Sequence, residues 1–145
     1  MNLNAKISEN LAIVGEIQPI SQAVGSVSTG WVSVTTLQIL IAVISTGVLG
    51  SSATVSAQLN QATTSAGANS KSVTGKSITP ISTNNQNVLI NLRPQDLDTN
   101  GGFSYVSLTL TVATAASLVS AKILAIPSSL PADLSNDLSV SQIVA

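Results

Sequence analysis

The chain of 145 residues has no cysteine and no histidine, and one residue each of tryptophan, tyrosine, phenylalanine and methionine. Without cysteine there is no disulfide, no thiolate metal ligand and no thiol nucleophile. Without histidine the commonest general acid–base group is missing. Only 8% of the residues are charged, against about 25% in ordinary soluble domains. The five Lys and Arg are scattered, so no basic surface can track a phosphate backbone. Hydrophobic content is nevertheless 44%, too high for a disordered chain. This composition favours a structural or binding role over catalysis. We expect no enzymatic activity, no cofactor and no nucleic-acid partner. A surface so poor in charge is a solubility liability for a free monomer, which points to burial against other subunits.

Charge is absent altogether from Ile17 to Ser70. The most apolar window, Trp31 to Gly50, is broken by Ser33, Thr35, Thr36, Gln38, Ser45 and Thr46. Its unbroken apolar stretch is only Ile39–Ile44, far short of the ~20 residues that span a bilayer. No membrane partner is expected. Ile39–Ile44 reads as a strand buried on both sides. The N-terminus does not read as a signal peptide, since Lys6 is followed by Glu9 and Glu16 with no sustained apolar region.

Period-two patterning dominates the centre of the chain. In Thr54–Leu59, Val55, Ala57 and Leu59 share one face. Val88, Ile90 and Leu92 alternate with Leu89 and Asn91. In Tyr105–Val112, Val106, Leu108, Leu110 and Val112 point one way, and Ser107, Thr109 and Thr111 the other. Val119, Ala121, Ile123 and Ala125 form a further such face, and the last two segments read as a hairpin across Ala113–Ser117. Lys76–Thr79 reads as a short strand confined to an edge by Pro80, after a polar loop at Thr63–Ser70. Short strands at this spacing predict an all-β sandwich or barrel. We assign it to residues 30–126, with an N-terminal arm at 1–29 and an extended tail at 127–145. In the arm, Ile7, Leu11 and Val14 fit one short helical stripe before Gly15 and Pro19 interrupt it.

Few side chains offer chemistry. Asp96, Asp98 and Asn100, followed by Gly101, fit the opening of a calcium loop. Position twelve is Ser107, however, where a bidentate Glu is required, so the alternative is an acidic turn closed by glycines. These three are the only candidate metal ligands. Arg93, the single arginine, suits an ion pair that braces the loop with Asp96 or Asp98, or else an intersubunit contact. Trp31, Phe103 and Tyr105 are candidates for core packing or for interface anchors. Leu138 and Val140 in the tail are candidate interface residues. A Ser–Lys dyad at Lys71 or Lys76 has no supporting spacing.

Five stretches resemble small β-rich proteins of tailed-bacteriophage virions. They are Gly30-Trp31-Val32-Ser33, Ala57–Thr63, Val88–Leu92 leading into Leu97-Asp98, Gly102–Val106, and the closing strand ending Ile123-Leu124-Ala125. The resemblance is one of strands and turns. It implies a single antiparallel jelly-roll-like β-sandwich that decorates or cements the outside of a phage head. The implied partner is the major capsid protein, and the implied assembly is a homotrimer or a dimer. The competing expectation is a tail, baseplate or fibre sandwich that binds host carbohydrate. The scarcity of aromatic platforms weighs against it.

Overall fold

The computed structural model describes residues 2–129 and 131–144. Nine strands follow one another: β1 (Ala12–Gln22), β2 (Gly25–Ser28), β3 (Val32–Ser33), β4 (Leu37–Thr46), β5 (Thr54–Ala62), β6 (Lys71–Ser77), β7 (Asn87–Leu92), β8 (Tyr105–Ala113) and β9 (Ser117–Pro127). One short helix, α1 (Ile7–Asn10), precedes them. No described helix is long and apolar enough to cross a membrane.

The strands form two antiparallel sheets, ordered β1-β9-β4-β7 and β2-β8-β5-β6, with β3 also pairing β8. The pairing is nested: β5 with β6, β4 with β7, β2 with β8, and β1 with β9. A long two-stranded ribbon wrapped around itself has this connectivity, which is that of a jelly roll. The all-β antiparallel sandwich is therefore as the sequence patterning predicts.

Alternation builds the core. Val55, Ala57 and Leu59 of β5, Val106, Leu108, Leu110 and Val112 of β8, and Val119, Ala121, Ile123 and Ala125 of β9 are all buried in one cluster. Leu40, Ala42 and Ile44 of β4 and Ile90 and Leu92 of β7 complete it from the first sheet. Ser107, expected to face out, is buried too. Its hydroxyl donates to the Thr29 carbonyl at 3.0 Å, while Thr29 Oγ1 accepts the Leu108 N–H at 3.0 Å. The polar pair is thereby satisfied where the chain between β2 and β3 crosses β8.

Several further expectations need correction. Residues 12–28 are not arm: β1 lies along β9 from Ala12↔Ala125 to Gln22↔Ser117, and β2 lies along β8. Two register shifts in β1, one spanning Pro19, break the simple period that would have announced a strand. β8 and β9 are not a hairpin. They belong to different sheets, and Ala113–Ser117 carries the chain across the sandwich. The short edge strand falls at Lys71–Ser77 instead of Lys76–Thr79. Finally, Ile39–Ile44 is not buried on both sides. Leu40, Ala42 and Ile44 enter the core, whereas Ile39 is 45% exposed and Ile41 and Val43 are half-buried on the outer face.

The tail from Ser128 lies outside both sheets but does not extend away. Asn136 Oδ1 accepts the Ile13 N–H and the Asp137 N–H donates to the Ile13 carbonyl, both at 2.8 Å. The tail thus occupies the open edge of β1 at Ile13 and packs against α1 through a 3-10 turn at Ala132–Ser135.

Truncating Leu108, which is fully buried, to Ala should cost about 2–5 kcal/mol. Truncating the fully exposed Leu138 to Ala should stay within about 0.5 kcal/mol. Urea titration followed by the fluorescence of Trp31 measures both.

Candidate functional site

Alternation leaves each sheet with an outer face, and the two differ in chemistry. Across the β2-β8-β5-β6 sheet the outward residues are mainly hydroxyls and amides. Ser26 and Ser28 hydrogen-bond Thr111 and Thr109 at 2.8 Å, and Asn60 Nδ2 donates to Thr109 at 3.0 Å. Across the β1-β9-β4-β7 sheet the outward residues are largely aliphatic. Register aligns Ile13, Leu124, Ile41 and Asn91 in one row, and Glu16, Lys122, Val43 and Leu89 in the next. Ile39 and Ile126 stand beside them as a pair, and Leu11 closes the same groove. Leu89 is 57% exposed. The result is an aliphatic patch over one end of this outer face, which gives way to Ser45, Ser120 and Asn87 in the following row.

A single ion pair sits within that face. Lys122 Nζ lies 2.7 Å from Glu16 Oε2, and the Glu16 side chain keeps only 10% of its exposure. The hydrogen bond from Lys122, joined by one from Ser139 in the tail, holds the Glu16 carboxyl below its ordinary value. The charge is neutralised in place, so the face stays available to an apolar partner.

The predicted site residues divide into two groups. Asp96, Asp98 and Asn100 do lie on one loop, but Asp96 and Asp98 are already engaged. Asp96 Oδ2 accepts the Arg93 N–H at 2.9 Å and pairs with Lys76 at 3.2 Å. Asp98 Oδ2 meets Lys71 at 2.6 Å, while its Oδ1 accepts the Gly101 N–H at 3.0 Å. The loop is fastened to β5 by the buried Gln61, whose Oε1 accepts the Asp98 N–H at 2.8 Å. Each carboxylate closes a turn and anchors to a lysine from β6. No group of three or more Asp or Glu that could hold a metal occurs among the described residues. The expected Arg93 brace is corrected accordingly. Its backbone N–H, not its guanidinium, caps Asp96, and lysines take both carboxylates.

The aromatic residues are half-buried. Phe103 lies beneath Lys71, with the ammonium 4.3 Å from the ring centroid. Tyr105 opens β8 opposite Ala62 and Ser33. Trp31 packs against the Thr63–Ser70 loop at Gly67. Gly67 has a φ of +82°, and a Cβ there would fall 2.4 Å from the indole Nε1, so only glycine permits the contact. Leu138 is exposed and Val140 half-buried. Leu138 flanks a shallow cleft with Trp31, Val14 and Glu16, so this tail candidate sits beside the indole.

Sequence reasoning missed the aliphatic face. Its signal was present in the unbroken run Ile39–Ile44. A strand with one face in a core needs polar residues on the other only if that other face meets water. No protein-family model matches the sequence, and no curated protein matches it.

Lowering the pH should weaken the fold in a defined window. Lys122 hydrogen bonding depresses Glu16, the Arg93 N–H depresses Asp96, and Lys71 depresses Asp98. Folded values below the unfolded ones mean that the stabilisation is complete above the ordinary carboxyl values, 4.5 for Glu and 3.8 for Asp. It is lost as the pH falls through the folded values. The melting temperature should be level from pH 7 to 5 and fall below pH 4. Lys122→Met should flatten part of that fall.

Proposed function

We propose that this chain is a non-enzymatic virion structural protein. It acts as a cement or decoration protein on the outer surface of a tailed-phage head, where it bridges major capsid subunits. The carrying observation is the aliphatic outer face of the β1-β9-β4-β7 sheet, with Ile39, Ile41, Val43, Leu89 and Leu124 side by side. An aliphatic sheet face of this kind marks a protein-contact surface. The terminal segments support the same reading. Leu3, Ile7, Leu138 and Val144 are exposed apolar residues on segments outside the two sheets. Such residues gain free energy only when a partner covers them. The jelly-roll sandwich also serves viral shells.

The mechanism is mechanical. Apolar burial on the sheet face supplies contact free energy to one capsid subunit. The terminal segments reach neighbouring subunits, so that each copy ties several together. Many copies on one shell add avidity to each contact. The added interface opposes outward strain from packaged DNA.

Quantitative mass spectrometry of purified virions tests the reading. A copy number near that of the major coat protein, or a simple fraction of it, is the expected outcome. A handful of copies would move the protein to the tail and to host recognition; its absence would end the virion reading. On isolated heads, Val43→Lys should weaken binding at least tenfold, since it sets an unpaired charge in the apolar contact. Deleting residues 138–145, which removes the exposed Leu138 and Val144 but keeps the Asp137 contact to β1, should weaken it as well. Wild-type binding by both variants would exclude this face and tail as the contact.

A further inference from the structure

The two sheets present four edges, and three are guarded against pairing with another chain. β1 carries Pro19 and two register shifts, and its Ile13 backbone groups are taken by Asn136 and Asp137. β2 has only four residues and begins at Gly25 with a φ of +137°. β6 carries Lys71 and Lys76, a register shift against β5, and Gly75 at a φ of +73°. Charge, proline, irregularity and shortness are the usual protections of an edge strand. β7, Asn87-Val88-Leu89-Ile90-Asn91-Leu92, has none of them: it carries no charge, no proline and an unbroken register against β4.

The hydrogen-bond phase of β7 can be read from its neighbour. The Thr46 N–H donates to the Gln86 carbonyl at 2.9 Å. In an antiparallel ladder, bonded and non-bonded pairs alternate. Val88, Ile90 and Leu92 therefore bond β4, whereas the N–H and C=O groups of Asn87, Leu89 and Asn91 point to the open edge. No described residue bonds them there.

We propose that β7 pairs antiparallel with β7 of a second copy, about a two-fold axis at Leu89. That register sets Leu89 against Leu89 and Asn87 against Asn91, so every outward donor meets an outward acceptor. The exposed side chains read Asn, Leu, Asn in both directions, which makes the edge complementary to itself, as a two-fold interface requires. Arg93 falls opposite Asn85, so no like charges meet. The two four-stranded sheets become one continuous sheet, and their aliphatic faces become one surface. This pairing stands whether or not the chain sits on a capsid.

The absence of native cysteine makes the register testable by cross-linking. Facing Cα atoms in a bonded antiparallel pair are about 5.5 Å apart, close enough for a short bifunctional thiol reagent to bridge. Leu89→Cys should give a covalent dimer with a bismaleimide of about 8 Å reach, and Asn87→Cys should not, because residue 87 faces residue 91 and lies about four residues along the ladder from its own copy. Sedimentation equilibrium of the unmodified chain should give twice 14.6 kDa. Leu89→Pro removes only an outward N–H, and Leu89→Lys opposes two charges at the axis. Each should shift the mass to that of the monomer while the circular dichroism spectrum stays that of the parent. A monomeric parent at all concentrations, a trimer, a dimer indifferent to Leu89→Lys, or equal cross-linking at 87 and 89 would each overturn the proposal.

Discussion

Val106, Leu108, Leu110 and Val112 of β8 share one core with Val119, Ala121, Ile123 and Ala125 of β9, although the two strands lie in opposite sheets. This closure of two sheets over a common set of alternating side chains governs the rest of the molecule. Each strand can commit only one face to the core, because successive side chains point to opposite sides. Whatever occupies the other face is therefore free of the core's demands and open to selection for another purpose.

The two outer faces use that freedom differently. One carries serine, threonine and asparagine in hydrogen-bonded cross-strand pairs, which suits contact with water. The other carries isoleucine, valine and leucine around the neutralised Glu16–Lys122 pair. Much of the little charge in this chain serves for fastening. Lys71 and Lys76 hold the Asp96–Asp98 loop, and Lys122 holds Glu16. None of these surface pairs contributes much to stability by itself. Their geometry keeps a loop and a strand in place and leaves the aliphatic face intact.

The edges follow the same economy. The tail lies along β1 through Asn136 and Asp137, and lysines guard β6, while β7 is left regular and uncharged. An open edge beside an aliphatic face concentrates the contact potential of the molecule at one side. The apolar terminal segments and this side together account for a composition that would suit a free monomer poorly.

Local alternation determined much of the fold directly. The strands at Thr54–Ala62, Asn87–Leu92, Tyr105–Ala113 and Ser117–Pro127, and the inward residues of each, were legible because burial on one side imposes a period of two. The all-β class followed from their number and spacing. Tertiary structure alone decided the pairing. Both β8 and β9 carry a clean inward face, and nothing local tells a hairpin from a crossing between sheets. It also turned residues 12–28 from arm into strands, since bulges at Gly15 and around Pro19 erase the period that β9 restores by pairing. The role of Asp96 and Asp98 was likewise undecided until lysines distant in sequence arrived beside them. The aliphatic run Ile39–Ile44 shows the limit most plainly. Hydrophobicity registers that a side chain avoids water, but only the arrangement of neighbouring strands says whether this protein's own core covers it or leaves it exposed.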